Sequence, residues 1–175
     1  MAVLKVRRYG DPVLRRRAEE IATVTPQIRR LAEDMIDTMY DEVGIGLAAP
    51  QIGASVRLLV VGDEEGRGAQ VLVNPVITEQ GGTVTAEEGC LSLPGFFAPV
   101  TRAQWVKLEA QDLEGQPVSI TARGLRSRVF QHEIDHLDGV LFIDRVDPMT
   151  RDRIKRRIKK EGFTEDAAAH RAFAL

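Results

Sequence analysis

Hydrophobic side chains recur every three or four residues between Thr25 and Gly44, which is typical of a helix with one buried face. Thr25 can cap the start of this helix, and Gly44 is expected to end it. The apolar stripe consists of Ile28, Leu31, Met35, Met39 and Val43. The pattern therefore predicts an amphipathic helix packed on a core.

Downstream, the pattern changes to the alternation or short apolar runs that indicate strands. VRLLVV (56–61) is one predicted strand, and VLVNPVIT (71–78) is a second that bends or ends at Asn74-Pro75. WVKLEAQD and LEGQPVSITA, over 105–122, read as a hairpin. A helix starting near Gly124 and a final helix in DPMTRDRIKRRIKK (147–160) follow. This order predicts an α+β fold with mostly antiparallel sheets, an N-terminal helix and a C-terminal helix.

Composition narrows the class of protein. A chain of 175 residues suits one domain, which we expect over 1–162, followed by a partly ordered extension over 163–175. A net charge of −2 argues against a generic nucleic-acid binder, so no DNA partner is expected. A single cysteine excludes an intrachain disulfide and fits a reducing compartment. No apolar run approaches the roughly 20 residues of a membrane span. The expectation is a cytoplasmic protein with no membrane partner.

The segment FQHEIDHLDG (130–139) contains the strongest chemical signal. His132 and His136 are four residues apart on a helix, so both can direct a ring nitrogen at one ion. Glu133 lies close enough to reach a water on that ion, as in HExxH metalloenzymes, where the glutamate is the general base. Leu125 and Val129 continue the same face, so the histidines are expected to point inward. The alternative is a chance spacing of two core or surface histidines.

The third metal ligand is less clear from the residues alone. The longer metalloprotease motif would need a histidine where Phe142 stands, which excludes that class. His170, Glu161 and Glu165 are possible ligands downstream. Cys90, in EEGCLSLPG, is the remaining soft ligand, and thiolate with two imidazoles binds zinc or iron(II). A buried apolar cysteine is its alternative reading.

A glycine-rich segment, GIGLAAPQIG (44–53), follows the first helix. It lacks the phosphate-loop pattern, and by itself it indicates a helix cap followed by a tight loop. Gln51 is its one polar side chain, which either donates an amide hydrogen bond or is solvated.

Together, GIGLAAPQ, EGCLS and QHEIDH, in this order and about 40 residues apart, resemble the three signature motifs of peptide deformylases. The opening segment VRRYGDPVLRRRA is also similar to that family, and the resemblance covers about residues 3–148. It implies the HExxH helix at the centre of the fold, with Cys90, His132 and His136 as metal ligands. The ion is then expected to be Fe2+, with Zn2+, Ni2+ or Co2+ able to replace it. Glu133 becomes the general acid and base that activates the water on the metal.

The resemblance also implies a substrate and a way to bind it. The family removes the N-formyl group from the formylmethionine of nascent polypeptides and releases formate. Gln51 and the backbone N–H of Leu91 would bind the carbonyl oxygen as it becomes negative. The methionine pocket would be lined by Ile45, Leu125 and Val129, and the backbone of Gly46 and Gly89 would pair with the peptide like an added strand.

Two positions depart from the family pattern. Phe96 and Phe97 occupy a stretch where many relatives carry an early base, and Arg102 is the first base here. Arg128 stands where relatives often have an apolar residue, so it either lines the pocket mouth or faces solvent. Peptide preference beyond the methionine is therefore not predicted.

The segment 151–160 has seven bases and one acid. It is either the solvated face of an amphipathic helix or a contact with ribosomal RNA. Two other functions compete with deformylation: a metallopeptidase that cleaves internal peptide bonds, and a non-enzymatic, metal-stabilised module on the ribosome.

Overall fold

The computed structural model describes residues 2–63, 68–163 and 175, and it confirms the α+β class. The helices are α1 (Pro26–Asp41), α2 (Gly124–Leu137) and α3 (Pro148–Glu161). The strands are β1 (Gly46–Ala48), β2 (Leu58–Gly62), β3 (Ala69–Gly81), β4 (Val84–Gly89), β5 (Phe97–Arg102), β6 (Trp105–Gln111) and β7 (Pro117–Arg123). Short 3-10 turns cover Pro12–Arg15, Ala49–Ile52 and Phe142–Asp144.

The strands form two antiparallel sheets. One sheet has the order β1-β2-β3-β6-β7, and the other is the β4-β5 hairpin. The predicted hairpin over 105–122 is confirmed as β6 and β7. The predicted extension over 163–175 falls, for residues 164–174, outside the described residues, as do Glu165 and His170. No helix among the residues described is long and apolar enough to cross a membrane.

Helix α1 begins as the sequence predicts, because the Thr25 hydroxyl accepts a hydrogen bond from the Ile28 N–H at 3.3 Å. The prediction of its end at Gly44, with Val43 on the buried stripe, was wrong. The Gly44 N–H bonds back to the carbonyl of Met39 at 2.9 Å, which closes the last turn. That closure places Val43 in the left-handed region, with φ 56°, and leaves it 58% exposed.

Strand β3 bends rather than ends at Asn74-Pro75. It runs unbroken over 13 residues, and the register with β6 shifts between Val73 and Val76. Asn74 has φ 51°, a conformation that asparagine tolerates better than most residues. The bulge keeps both parts of the strand paired.

Three strands, β1, β4 and β5, were not predicted. The segment read as a tight loop forms β1 over Gly46–Ala48, and the segment around EEGC provides β4. Each is short, and its partner lies elsewhere in the chain, so local periodicity carries little signal.

Helix α2 is central to the molecule. It packs against β1, β2, β6 and β7 of the larger sheet. Val129, Phe130 and Leu137 are 0–1% exposed and join the core cluster that includes Leu59 and Leu108. This buried packing fixes the helix that carries the HExxH residues, so their positions depend on the core and not on a loop.

Candidate active site

The structure brings the three predicted metal ligands together. His132 and His136 project from successive turns of α2, and Cys90 directly follows β4; all three are 1–2% exposed. Their ligand atoms lie within 4.8 Å of one another. The Cys90 Sγ to His136 Nε2 distance is 3.3 Å, against the roughly 3.6 Å expected for a sulfur and a nitrogen on one tetrahedral ion.

Of the alternative third ligands, Glu161 does not join this cluster, and Glu165 and His170 lie outside the described residues. Glu161 is exposed on α3, where its nearest cation is Arg157 at 3.8 Å. Phe142 is 1% exposed and stacks near the His132 ring, with the centroids 6.4 Å apart. It therefore packs against a ligand in the place where a metalloprotease would have a third histidine.

Buried polar atoms around the cluster point to a bound ion. Within the described part of the chain, His132 Nε2 and both carboxylate oxygens of Glu133 have no hydrogen-bond partner. Such buried atoms normally find one, because desolvation without compensation is costly. A divalent cation with its water would engage all three. The donor set of one thiolate and two imidazoles fits zinc or iron(II).

Glu133, the predicted acid–base group, lies beside the ligand cluster. It is fully buried, and its Oε1 lies 3.7 Å from His132 Nε2. Burial raises the pKa of Glu133 to about 7, although His132 opposes the shift. A cation at the ligand cluster would lower that pKa again. Beside a bound cation the carboxylate form of Glu133, which can accept a proton, would therefore be favoured.

Gly46 sets how closely β1 approaches Glu133. A Cβ atom at Gly46 would lie 2.9 Å from Glu133 Cγ and 2.9 Å from Val129 Cγ1. Both distances are shorter than carbon contacts allow. Glycine at this position therefore lets the β1 backbone approach the Glu133 side chain closely.

Gln51 is buried, so its solvated alternative was wrong. Its Oε1 accepts from the Ala48 N–H at 3.0 Å, which orients the amide. Its Nε2 then faces Ser92 Oγ at 3.2 Å and Cys90 Sγ at 3.6 Å. Leu91, next to Cys90, is 4% exposed. An amide donor is thus aimed at the ligand cluster.

The apolar part of the site has fewer members than the sequence suggests. Val129 is 1% exposed in the large core cluster, and Ile45 packs against that cluster. Leu125 is 60% exposed at the start of α2, outside the buried cluster. Leu175 is 4% exposed in the same cluster, and its N–H donates to the Gly89 carbonyl at 3.3 Å.

Sequence reasoning missed Glu88, which orients His132. Glu88 is fully buried, and its Oε1 lies 2.9 Å from His132 Nδ1, which leaves Nε2 for the ion. Burial alone would raise the pKa of Glu88, but hydrogen bonds from His132 and Arg102 lower it to about 2. Metal-binding histidines usually donate their other N–H to such a carboxylate. The signal was the acidic pair Glu87-Glu88, separated from the predicted cysteine ligand by one glycine.

Arg128 neither lines an open mouth nor faces solvent, so both predicted places were wrong. It is 5% exposed, and its Nη1 lies 2.5 Å from Glu88 Oε2. Arg102 is 6% exposed and binds both Glu88 and Asp135. These pairings compensate the buried charge of Glu88, so Arg102 is not an exposed base for a peptide. Phe96 is 6% exposed in the second core cluster.

Comparison with known proteins agrees with this geometry. The family model described as polypeptide deformylase matches residues 3–152. The chain belongs to the polypeptide deformylase family. A peptide deformylase of Alkalilimnicola ehrlichii is 48% identical over 162 residues, covering 91% of each chain. Another, of Thermodesulfovibrio yellowstonii, is 44% identical and covers 91% of this chain and 98% of its own.

Solved deformylase structures share the fold. The crystal structure from Legionella pneumophila has a TM-score of 0.86 at 43% identity, covering 91% of this chain and 95% of that one. The enzyme from Ehrlichia chaffeensis, solved in complex with actinonin, has a TM-score of 0.85 at 37% identity, with coverages of 92% and 99%. The similarity to these two solved structures therefore extends over 91–92% of this chain.

Proposed function

We propose that Cys90, His132 and His136 hold the catalytic metal of a peptide deformylase. As a family member, the chain is a metal-dependent hydrolase that removes the N-formyl group from the formylmethionine of nascent polypeptides and releases formate. The observation that carries the assignment of residues is the ligand cluster beside a buried Glu133.

The residues of the chain divide the reaction between them. The bound ion supplies a Lewis acid that polarises the formyl group and lowers the pKa of water. Glu133 accepts the proton of the attacking water and returns it to the departing amine nitrogen. Gln51 Nε2 and the Leu91 N–H donate to the oxygen that becomes negative, a role worth about 3 kcal/mol for one donor.

The substrate methionine enters the apolar region of Ile45 and Val129, with Leu125 at its exposed rim. The peptide backbone pairs with Gly46 and Gly89 like an added strand. The hydrogen bond that the Gly89 carbonyl accepts from the Leu175 N–H supports this proposal, because another segment of the chain already uses this carbonyl as an acceptor.

We expect formate release from formyl-Met-Ala-Ser by metal-loaded protein purified without oxygen. Glu133→Gln should retain the metal and lose activity by about 10²- to 10⁴-fold, because it cannot transfer the proton. Glu87→Gln, an exposed neighbour of the site, is the matched control. No release by the fully loaded wild type would refute the deformylase function, and an active Glu133→Gln would refute the role of Glu133.

Iron(II) is the proposed physiological ion, with Zn2+, Ni2+ and Co2+ as substitutes. The thiolate of Cys90 suits all of these metals and makes an iron(II) site sensitive to peroxide. Metal-free protein should be reloaded anaerobically with each ion and assayed before and after peroxide. Equal activity and equal peroxide resistance for iron and zinc would contradict the proposal.

Residues 1–162 form the proposed single catalytic domain, and α3 its proposed ribosome contact. Ile154 lies on the buried face of α3, while six of the seven bases in 151–160 are exposed. A basic face would keep a cytoplasmic enzyme near emerging chains. The alternative remains a solvated helix face. Triple charge reversal at Arg153, Arg156 and Lys159 should abolish salt-sensitive cosedimentation with ribosomes and leave peptide deformylation intact. Unchanged cosedimentation would refute the ribosome contact and favour the alternative of a solvated helix face.

A further inference from the structure

The carboxylate that orients His132 is held on both of its oxygens. Glu88 Oε1 contacts His132 Nδ1 at 2.9 Å and Arg102 Nη2 at 3.0 Å. Glu88 Oε2 contacts Arg102 Nε at 2.6 Å and Arg128 Nη1 at 2.5 Å. Arg102 also donates to Asp135 at 2.9 Å, so its charge is shared between two carboxylates. Arg128 brings a second full positive charge to Glu88.

The spacing of residues on α2 and the spacing of residues on β4 both favour the contact between Arg128 and Glu88. Arg128 and His132 are four residues apart on α2, so both point from one helix face towards β4. Val84, Ala86 and Glu88 alternate onto one face of β4. Arg128 spans this stretch, with Nη2 on the Val84 carbonyl at 2.7 Å and Nη1 on Glu88.

A third contact fixes the guanidinium plane. Arg128 Nη1 also donates to the Val100 carbonyl of β5 at 2.9 Å. The group is thus tied to both strands of the hairpin and to the carboxylate. An arginine held this way has little freedom to leave Glu88, whose own freedom is reduced in turn.

We propose that Arg128 is a positioning residue for the metal site. By fixing Glu88 Oε2, it keeps Oε1 on His132 Nδ1 and the His132 ring oriented with Nε2 towards Cys90 and His136. Without it, Glu88 depends on Arg102, which also binds Asp135, and the carboxylate can rotate away from His132. Loss of Arg128 therefore weakens metal binding and not only folding.

The test measures metal affinity by competition with a chelator, using zinc or cobalt as the probe. Arg128→Met should raise the dissociation constant by about 10-fold, the lower end for partners that orient metal ligands. Arg128→Lys keeps a charge near Oε2 and should recover most of the affinity. Arg126→Met, on the same helix but bonded to Gln70, is the matched control and should bind metal as the wild type does.

Urea unfolding of the metal-free variants separates positioning from general stability. Both Arg128 variants lose backbone contacts, so both should be destabilised, but only the Met variant should lose metal affinity. Arg128→Gln provides an uncharged variant with amide donors if the Met variant does not fold. Wild-type metal affinity in the uncharged variant, or equal losses of affinity in Lys and uncharged variants, would overturn the proposal.

A separate observation concerns Leu175, which contacts residues of the proposed peptide site. Its N–H donates to Gly89, and its buried side chain joins the cluster that contains Val129 and is flanked by Ile45. Resting on the proposed function, we infer that Leu175 occupies the methionine region as an internal competitor. Its backbone uses the acceptor that a peptide would use, and its side chain fills apolar space.

Replacing Leu175 tests this competition within the full chain. Leu175→Asp should leave the cleft, because an unpaired charge is disfavoured there. The KM for a formyl peptide should then fall by about 2- to 10-fold with kcat unchanged, since a larger fraction of protein is open. Leu175→Met keeps an apolar side chain and should match the wild type. Calorimetric binding of Met-Ala-Ser provides a readout without catalysis. Equal KM and equal peptide affinity in Leu175→Asp and wild type would refute self-occupancy, whereas absence of turnover in every variant would instead refute the proposed function.

Discussion

Replacing Gly46 with alanine should displace the catalytic glutamate while leaving the metal ligands untouched. The added Cβ would lie 2.9 Å from both Glu133 Cγ and Val129 Cγ1. Carbon atoms in contact normally lie about 3.5–4.0 Å apart, so the side chains and β1 must separate by roughly 0.6–1.1 Å. Val129 is fixed in the core, so Glu133 takes much of this shift.

A misplacement of about 1 Å at a reacting group can lower the rate roughly 100-fold. We therefore expect kcat/KM for formate release by Gly46→Ala to fall about 100-fold at wild-type metal content. Overpacking should also lower the free energy of unfolding by about 1–3 kcal/mol. Both quantities are measured on the same metal-loaded preparation.

Gly62→Ala is the matched control for this prediction. Gly62 ends β2, the strand paired with β1, and a Cβ there would meet nothing closer than 3.5 Å. It should keep both activity and stability. If Gly46→Ala also retained wild-type kcat/KM, Glu133 could tolerate the shift, and the argument that its position is sterically fixed would be refuted.

Three further predictions concern stability. Asn74→Ala should lower the free energy of unfolding in urea by about 2 kcal/mol, because it loses two 2.9 Å hydrogen bonds to the Ile21 backbone and places alanine at a φ of 51°. Asn74→Gly removes the backbone strain but not the loss of the hydrogen bonds, so it should recover only part of this stability. A full recovery would contradict the role of the hydrogen bonds. Asp147→Ala should cost about 1 kcal/mol, since Asp147 caps α3, and a circular-dichroism melt unchanged from wild type would exclude this capping energy. Burial would raise the pKa of Asp144, but its hydrogen bond to Arg15 lowers the pKa overall. Because the folded pKa is depressed, the carboxylate stabilises the fold above its unfolded pKa near 3.8, and this contribution disappears as pH falls through the folded pKa. Asp144→Asn should therefore be less stable than the wild type by roughly 0.5–1 kcal/mol at pH 7, a small value because the pair is partly exposed. This difference in stability should shrink as the pH falls below 3.8, and a difference independent of pH would oppose the assignment.

The helices were largely predictable because their signals are local. The cap at Thr25 and the four-residue spacing of His132 and His136 depend on neighbouring residues only. The end of α1 was not predictable in the same way. Its closing bond forces a left-handed conformation on Val43, which a β-branched residue seldom adopts, so the sequence favours a longer helix.

The chemistry of the metal ligands was also accessible, because histidine and cysteine carry it in their residue type. The arrangement of the residues around these predicted ligands could not be predicted from the sequence. Glu88 looks like an ordinary surface glutamate until β4 pairs with β5 and α2 covers it. Its partners Arg102 and Arg128 lie 14 and 40 positions away in the chain, so no local pattern links them. The environment of Arg128 was predicted wrongly for the same reason. A cation on a helix is normally exposed to solvent unless a buried anion pairs with it, and the sequence does not show that anion.

The geometry at the end of β4 explains why Glu88, Gly89 and Cys90, three consecutive residues, each have a different proposed role. In an extended strand, side chains alternate between two faces, so Glu88 and Cys90 both turn towards α2 while Gly89 turns away. A Cβ on Gly89 would lie 2.5 Å from Phe97 Cε1, so the strand can pack there only with glycine. The Gly89 carbonyl, lateral to both faces, remains available to a crossing N–H, as it is to Leu175. The end of one strand thus supplies the proposed thiolate ligand, the carboxylate beside His132, and the proposed acceptor for a peptide. A substitution that slips the β4–β5 register by one residue would disrupt all three at once.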